Sequence, residues 1–297
     1  MKHNLKITSL LIAMFIITQF IGIYVVNYYS PEDRVLPFGL EPPQPQQQSD
    51  YNVFLSSIIF AFIIAVLIFF LFTRFKLSFI LKAWFFVVIV LALSVSLLAI
   101  FSITKIIIVV AIAILLAIVK LSGKSFLVHN ATELLIYPGI AAVFVPILNI
   151  WTIIILLILI SVYDIWAVWH SGIMQKMAKY QIKEMKIFTG FFVPYLDKKI
   201  KQQIQKWKKT LSSKQLAKKK IKVNMAILGG GDVVFPIIAS GVMLKTLGLG
   251  SALLVVLGAT LGLAYLFFFA KKRRFYPAMP FITAGIFAGI AVSYLVF

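Results

Sequence analysis

Nine apolar runs follow one another along this chain, at roughly 5–26, 53–73, 83–101, 104–121, 132–148, 149–169, 222–244, 247–269 and 277–297, each about 17 residues or longer. A helix of that length matches the hydrocarbon core of a bilayer, about 30 Å thick. A soluble fold is excluded by geometry. The interior of a 297-residue domain is too small relative to its surface to hide a composition that is 62% hydrophobic with mean hydropathy +1.02. The runs are solidly apolar rather than alternating, which argues against a transmembrane barrel. The fold class expected is all-α: a polytopic membrane protein of about nine transmembrane helices.

The gaps between runs carry the charge. The formal net charge of +20 raises the question of nucleic acid, but the lysines sit between spans, as membrane anchors do, and no nucleic-acid partner is expected. With the N-terminus inside, every one of the 29 basic residues except Arg34, Lys105 and Lys245 falls on the inner side. The positive-inside rule therefore selects N-in, C-out, and a multi-pass protein of the cell membrane. The first run, behind a basic head, is too long for a signal peptide and lacks a small-residue cleavage site, so it is expected to stay as a span. Without cysteine, disulfides and thiolate metal sites are ruled out.

Three parts are expected: 1–169 with six spans, a basic inner loop over 170–221, and 222–297 with three spans. The segment 27–52, ending in LEPPQPQQQSD, reads as an extended outer loop. The loop at 170–221 reads either as a helix lying on anionic lipid, burying Trp207 and Leu211, or as a disordered basic linker.

Of nine acidic residues, only Asp164 and Asp232 lie well inside apolar runs; Glu133 falls at the inner edge of its span. A carboxylate at that depth costs several kcal/mol, about 3 on insertion scales, and marks a functional site by default. Asp232 stands about 15 Å along a helix from Lys222, and Asp164 about 9 Å from the inner end of its span. The two spans run in opposite directions, so both acids fall in the inner half of the membrane and can face each other. Two carboxyls facing each other in a dry site share one proton and titrate as a unit. Such a pair can hydrolyse a peptide: the ionised member takes a proton from water while the other protonates the carbonyl. Carboxylate placement alone leaves open a hydrogen-bonded interhelical pair, or an ion channel or ion-coupled transporter using the same two acids.

The neighbours tilt the choice. Gly229, Gly230 and Gly231 precede Asp232, and Pro236 follows it, so the helix is expected to loosen at the acid. A loosened stretch admits both water and an unwound substrate chain. At the start of the last span, YPAMP places Pro277 and Pro280 where they hold the chain out of a helix until about residue 280.

These elements resemble a known family. YD (Tyr163, Asp164), GGGD (Gly229, Gly230, Gly231, Asp232) and PAM (Pro277, Ala278, Met279) look like the YD, GxGD and PAL motifs of the presenilin and signal peptide peptidase intramembrane aspartyl proteases. Gly230 stands where the family usually has an aliphatic residue, and Met279 where it has leucine, a volume-preserving change. The resemblance spans essentially the whole chain and looks like a prokaryotic, archaeal, presenilin-like member. It implies an aspartic-type intramembrane endopeptidase with Asp164 and Asp232 as the catalytic pair and Tyr163 as a supporting neighbour. It also implies that Pro277, Ala278 and Met279 shape the site and hold unwound substrate. Transmembrane-helix proteins with an outer N-terminus are the expected substrates. No cofactor, metal or obligate partner subunit is implied. A zinc protease is excluded by the lack of HExxH, and a serine site at Gly248–Ser251 lacks a companion histidine in a late span. Prepilin-type peptidases share the GxGD aspartate but have fewer spans and lack YD and PAL in this arrangement.

Shared-proton chemistry sets the sign of the pH response. Protease activity should fall as pH rises and the pair loses its proton; a profile flat from mildly acid to alkaline, measured on a transmembrane peptide, would contradict it.

Overall fold

The computed structural model describes residues 5–31, 34–39, 41, 45, 47–75, 78–102, 105–123, 125–170, 188–195, 224–270 and 276–297. Among the described residues each apolar run carries one helix: α1 (Leu5–Tyr28), α2 (Gln48–Arg74), α3 (Ser78–Phe101), α4 (Ile106–Leu121), α5 (Phe126–Phe144), α6 (Ile150–Trp169), α7 (Gly230–Leu247), α8 (Leu249–Phe269) and α9 (Met279–Val296). Eight are long and apolar enough to cross a membrane; α4, at 16 residues, is shorter. The expectation of an all-α polytopic protein holds, with one addition. Between α6 and α7 lies an antiparallel pair, β1 (Gly190–Tyr195) and β2 (Asn224–Gly229), in the register Gly190↔Gly229 through Tyr195↔Asn224.

That pair corrects the expected seventh span. Residues 224–229 are a strand rather than the first turns of a helix, and α7 begins at Gly230 and runs to Leu247. The local reason is Gly229, which is extended at φ −64°, ψ 148° and ends the ladder where the helix starts. The 15 Å helical offset between Lys222 and Asp232 therefore does not apply, since the strand part of that path rises about 3.3 Å per residue. The fifth span also differs. α5 starts at Phe126, because the polar residues ahead of 132 find partners inside the protein. The lipid-surface helix expected around Trp207 and Leu211 lies outside the described residues.

Between α5 and α6, a short 3-10 segment (Val145–Ile147) ends α5. Asn149 then caps α6. Its side chain accepts the Thr152 N–H at 2.9 Å while the Thr152 hydroxyl accepts the Asn149 N–H at 2.9 Å. This reciprocal capping box satisfies two donors that the helix cannot pair itself.

Lipid tails are as apolar as leucine, so helices in a membrane associate by close packing rather than by escape from water. α1 passes through the middle of the bundle, against α5, α7 and α8. Its Leu11 and Phe15 are fully buried, as are Leu157 of α6, Ile237 of α7 and Ile286 of α9. α2 is almost wholly exposed along its span and touches only α6 and α3 appreciably. The tightest pair is α8 with α9. Gly258 and Gly262 on one helix face Gly285 and Gly289 on the other, each pair four residues apart, so that the backbones touch. A Cβ on Gly258 would run into the Gly285 carbonyl, and the reverse holds as well.

Gly258→Leu should therefore destabilise the protein by about 1–3 kcal/mol, since the obstacle is backbone that cannot turn aside. Leu257→Ala, at a side chain 54% exposed to lipid, is the control and should change little. Thermal unfolding in detergent distinguishes them.

Candidate active site

Asp164 lies on the buried face of α6, with 6% of its surface exposed. α6 is tied to α9 nearby by a hydrogen bond between the hydroxyls of Ser161 and Thr283, at 2.9 Å. The first N–H groups of a helix have no partner within it. In α9 these groups belong to the PAM segment. The Met279 N–H donates to Asp164 Oδ2 at 3.0 Å, and the Ala278 N–H is also within bonding reach of that carboxylate. Pro277 is buried and Pro280 occupies the first turn, where its missing N–H costs nothing. Helix α9 starts at Met279, one residue ahead of the expected point.

Asp232 is the third residue of α7, half-buried, in a helical first turn rather than at a break within a helix. This corrects the expected loosening: the glycines end a strand and open a helix. The Asp232 carboxylate reaches back to the Gly229 N–H, half of a capping box. A Cβ on Gly229 would sit 3.1 Å from Asp232 Oδ2, so a side chain there would crowd the acid. Gly231 is exposed and gives the site its open side. Pro236 sits within α7, where it removes the helical donor of the Asp232 carbonyl. At the next carbonyl, Val233, the buried amide of Gln19 from α1 donates at 3.1 Å.

The two acids, from α6 and α7, are close enough to interact electrostatically. Tyr163, next to Asp164 in the chain, points its ring toward other aromatics. Its ring stands edge-on to Phe62 of α2, with centroids 5.2 Å apart, and 6.4 Å from Trp166. Asp164 thus lies against Ala278 and Met279, and Asp232, half-buried, lies against Gly229.

The family model for "Signal-peptide peptidase, presenilin aspartyl protease" matches residues 12–297. The chain belongs to this family. It is an intramembrane aspartate protease, a hydrolase, and a multi-pass membrane protein. Two solved structures of a presenilin family intramembrane aspartate protease have the same fold at 18% identity. One, in space group C222, has TM-score 0.58 and covers 98% of this chain and 99% of its own. The other, in space group P2, has TM-score 0.61 and covers 97% of each. Comparison with curated proteins returned no match.

Two features of this family member escaped sequence reasoning. Glu133 is not at the edge of a span but buried in α5, 1% exposed. Lys120 of α4 donates to it at 2.6 Å and His129 lies 3.4 Å away. The second is Tyr137, one turn further along α5. Its hydroxyl is buried, facing both Glu133 and Asp232. The spacing of His129, Glu133 and Tyr137, every fourth residue on one helical face, was the available signal.

Tyr137 also accounts for the departure at Gly230. A Cβ on Gly230 would lie 2.7 Å from the Tyr137 hydroxyl, whose ring is held edge-on by Phe191 of β1 at 5.8 Å. The tyrosine fills the room that an aliphatic residue would take. Gly230→Leu should lose about 1–3 kcal/mol of stability, and adding Tyr137→Ala should recover part of it. A double-mutant cycle by thermal unfolding should give a coupling of about 0.5 kcal/mol or more; additivity would mean that the two sites do not compete for space.

Proposed function

We propose that Asp164 and Asp232 form the catalytic dyad and hydrolyse peptide bonds inside the transmembrane segments of substrate proteins. The observation that carries this reading is their convergence: two interacting carboxylates from α6 and α7, one of them held by the Met279 N–H at 3.0 Å. Membership of a family of aspartate proteases supports it, because the mechanism requires two such groups.

In the proposed reaction the pair holds one proton. The ionised carboxylate takes a proton from water as its oxygen attacks the scissile carbonyl carbon. The protonated carboxyl gives its proton to the carbonyl oxygen, and a tetrahedral gem-diol forms. When the C–N bond breaks, the amine takes the proton drawn from water, and a gem-diol hydroxyl returns the other. The dyad ends with the single proton that it began with. Backbone donors at Asp164 and Asp232 fix the carboxylates before substrate arrives, so little reorganisation is left for the reaction itself. Pro277, Ala278, Met279 and the glycines Gly229, Gly230 and Gly231 shape the site, and Tyr163 supports it from the α2 side.

The proposed topology is N-in and C-out in the cell membrane, with 1–169 carrying YD, the basic segment 170–221 on the inner side against anionic lipid, and 222–297 carrying GGGD and PAM. That orientation suits substrates with a single span and an outer N-terminus. The chain is proposed to act without obligate partner subunits.

Purified protein given a transmembrane peptide should yield cleavage products by mass spectrometry. Asp164→Ala and Asp232→Ala should each reduce their formation by about 10⁴-fold or more, to background, without loss of fold. Full cleavage by either variant would overturn the dyad.

A further inference from the structure

We infer that the buried Lys120–His129–Glu133 cluster and Asn130 are positioning residues that hold the β1–β2 hairpin, and through it set the place of Asp232. The inference rests on the dyad reading above.

The path is short. Lys120 Nζ lies 2.6 Å from Glu133 Oε1 and 3.4 Å from His129 Nδ1. With Nδ1 accepting, the histidine carries its proton on Nε2 and donates it to the Gly190 carbonyl at 2.9 Å. The Gly190 N–H points back to Glu133 Oε1 at 3.4 Å. Two residues on, Asn130 grips the Phe192 backbone from both sides, donating to its carbonyl at 2.8 Å and accepting its N–H at 3.1 Å. Strand β1 is thus bolted to α5 at both backbone groups of two alternate residues. Gly190 pairs across the sheet with Gly229, which ends β2, caps α7 and offers its N–H to Asp232. Gly190 has φ +133°, and a Cβ there would meet the Leu228 carbonyl, so only glycine allows this crossing.

A buried ion pair is a poor way to add stability, because desolvation offsets the attraction. Its use here is geometric. A two-stranded sheet is marginal alone, and a strand that must deliver an acid to a fixed point needs an external clamp. The Lys120–Glu133 pair, with side chains 3% and 2% exposed, supplies a rigid one.

The test uses the full chain in detergent, with kcat and KM for a transmembrane peptide measured separately, and amide hydrogen exchange on the same samples. Lys120→Met combined with Glu133→Gln removes both charges without stranding either; Asn130→Ala releases Phe192. Each should lower kcat about 10-fold or more while KM stays within about twofold, with faster exchange in β1 and unchanged protection in α8 and α9. Wild-type kcat in both variants would overturn the inference. If the variants do not fold, the unaltered protein decides: slow exchange at Phe192 supports the clamp, and rapid exchange there removes it. Failure of the dyad itself would show differently, as cleavage surviving in Asp164→Ala or Asp232→Ala.

Discussion

The hydrogen bond from the Met279 N–H to Asp164 joins two needs that neither helix can meet alone. α9 begins inside the bundle, where its first N–H groups have no water to turn to. α6 carries a carboxylate on a face that lipid cannot solvate. Each supplies what the other lacks, and the same logic governs Asp232, which takes up the Gly229 N–H at the start of α7. Buried polar groups must be paired, and in a membrane the available partners are the orphan ends of other helices. Helix ends are therefore where this protein concentrates its polar chemistry.

Once that constraint is accepted, the departures from regular helix are accounted for. A run of glycines in a span would be costly as a loosened helix, but here it is the seam between a strand and a helix. Pro236 deprives one carbonyl of its donor, and Gln19 from the central helix donates to the adjacent one. The glycines of α8 and α9 serve a different end: they bring two backbones into contact, so that the helix carrying Met279 is firmly seated. α9 meets Asp164 through the Met279 N–H, and the hairpin ends where the helix carrying Asp232 begins.

The polar stretch HNATE illustrates how a local pattern can mislead. Read along the chain, His129 and Asn130 belong to a connection between spans and Glu133 to the inner edge of the next span, because polar side chains do not enter lipid. They are instead the first turns of α5, turned inward against Lys120 and the backbone of β1. The hairpin was equally hidden, since GFFVPY and NMAILG are apolar enough to pass for span or loop, and their pairing depends on residues that are distant in sequence.

What the amino-acid sequence determined by itself was everything that follows from local composition. Apolar runs of membrane length, the lysine asymmetry, the two acids within hydrocarbon and the YD, GGGD and PAM elements each depend only on neighbouring residues. The tertiary structure alone decided which backbone groups meet which carboxylates, that Tyr137 occupies the room beside Gly230, and that a buried ion pair lies against β1, the strand paired with the one leading to Asp232. The physical reason is that hydrophobicity acts residue by residue, whereas satisfying a buried polar group requires a partner whose position depends on how all the helices pack.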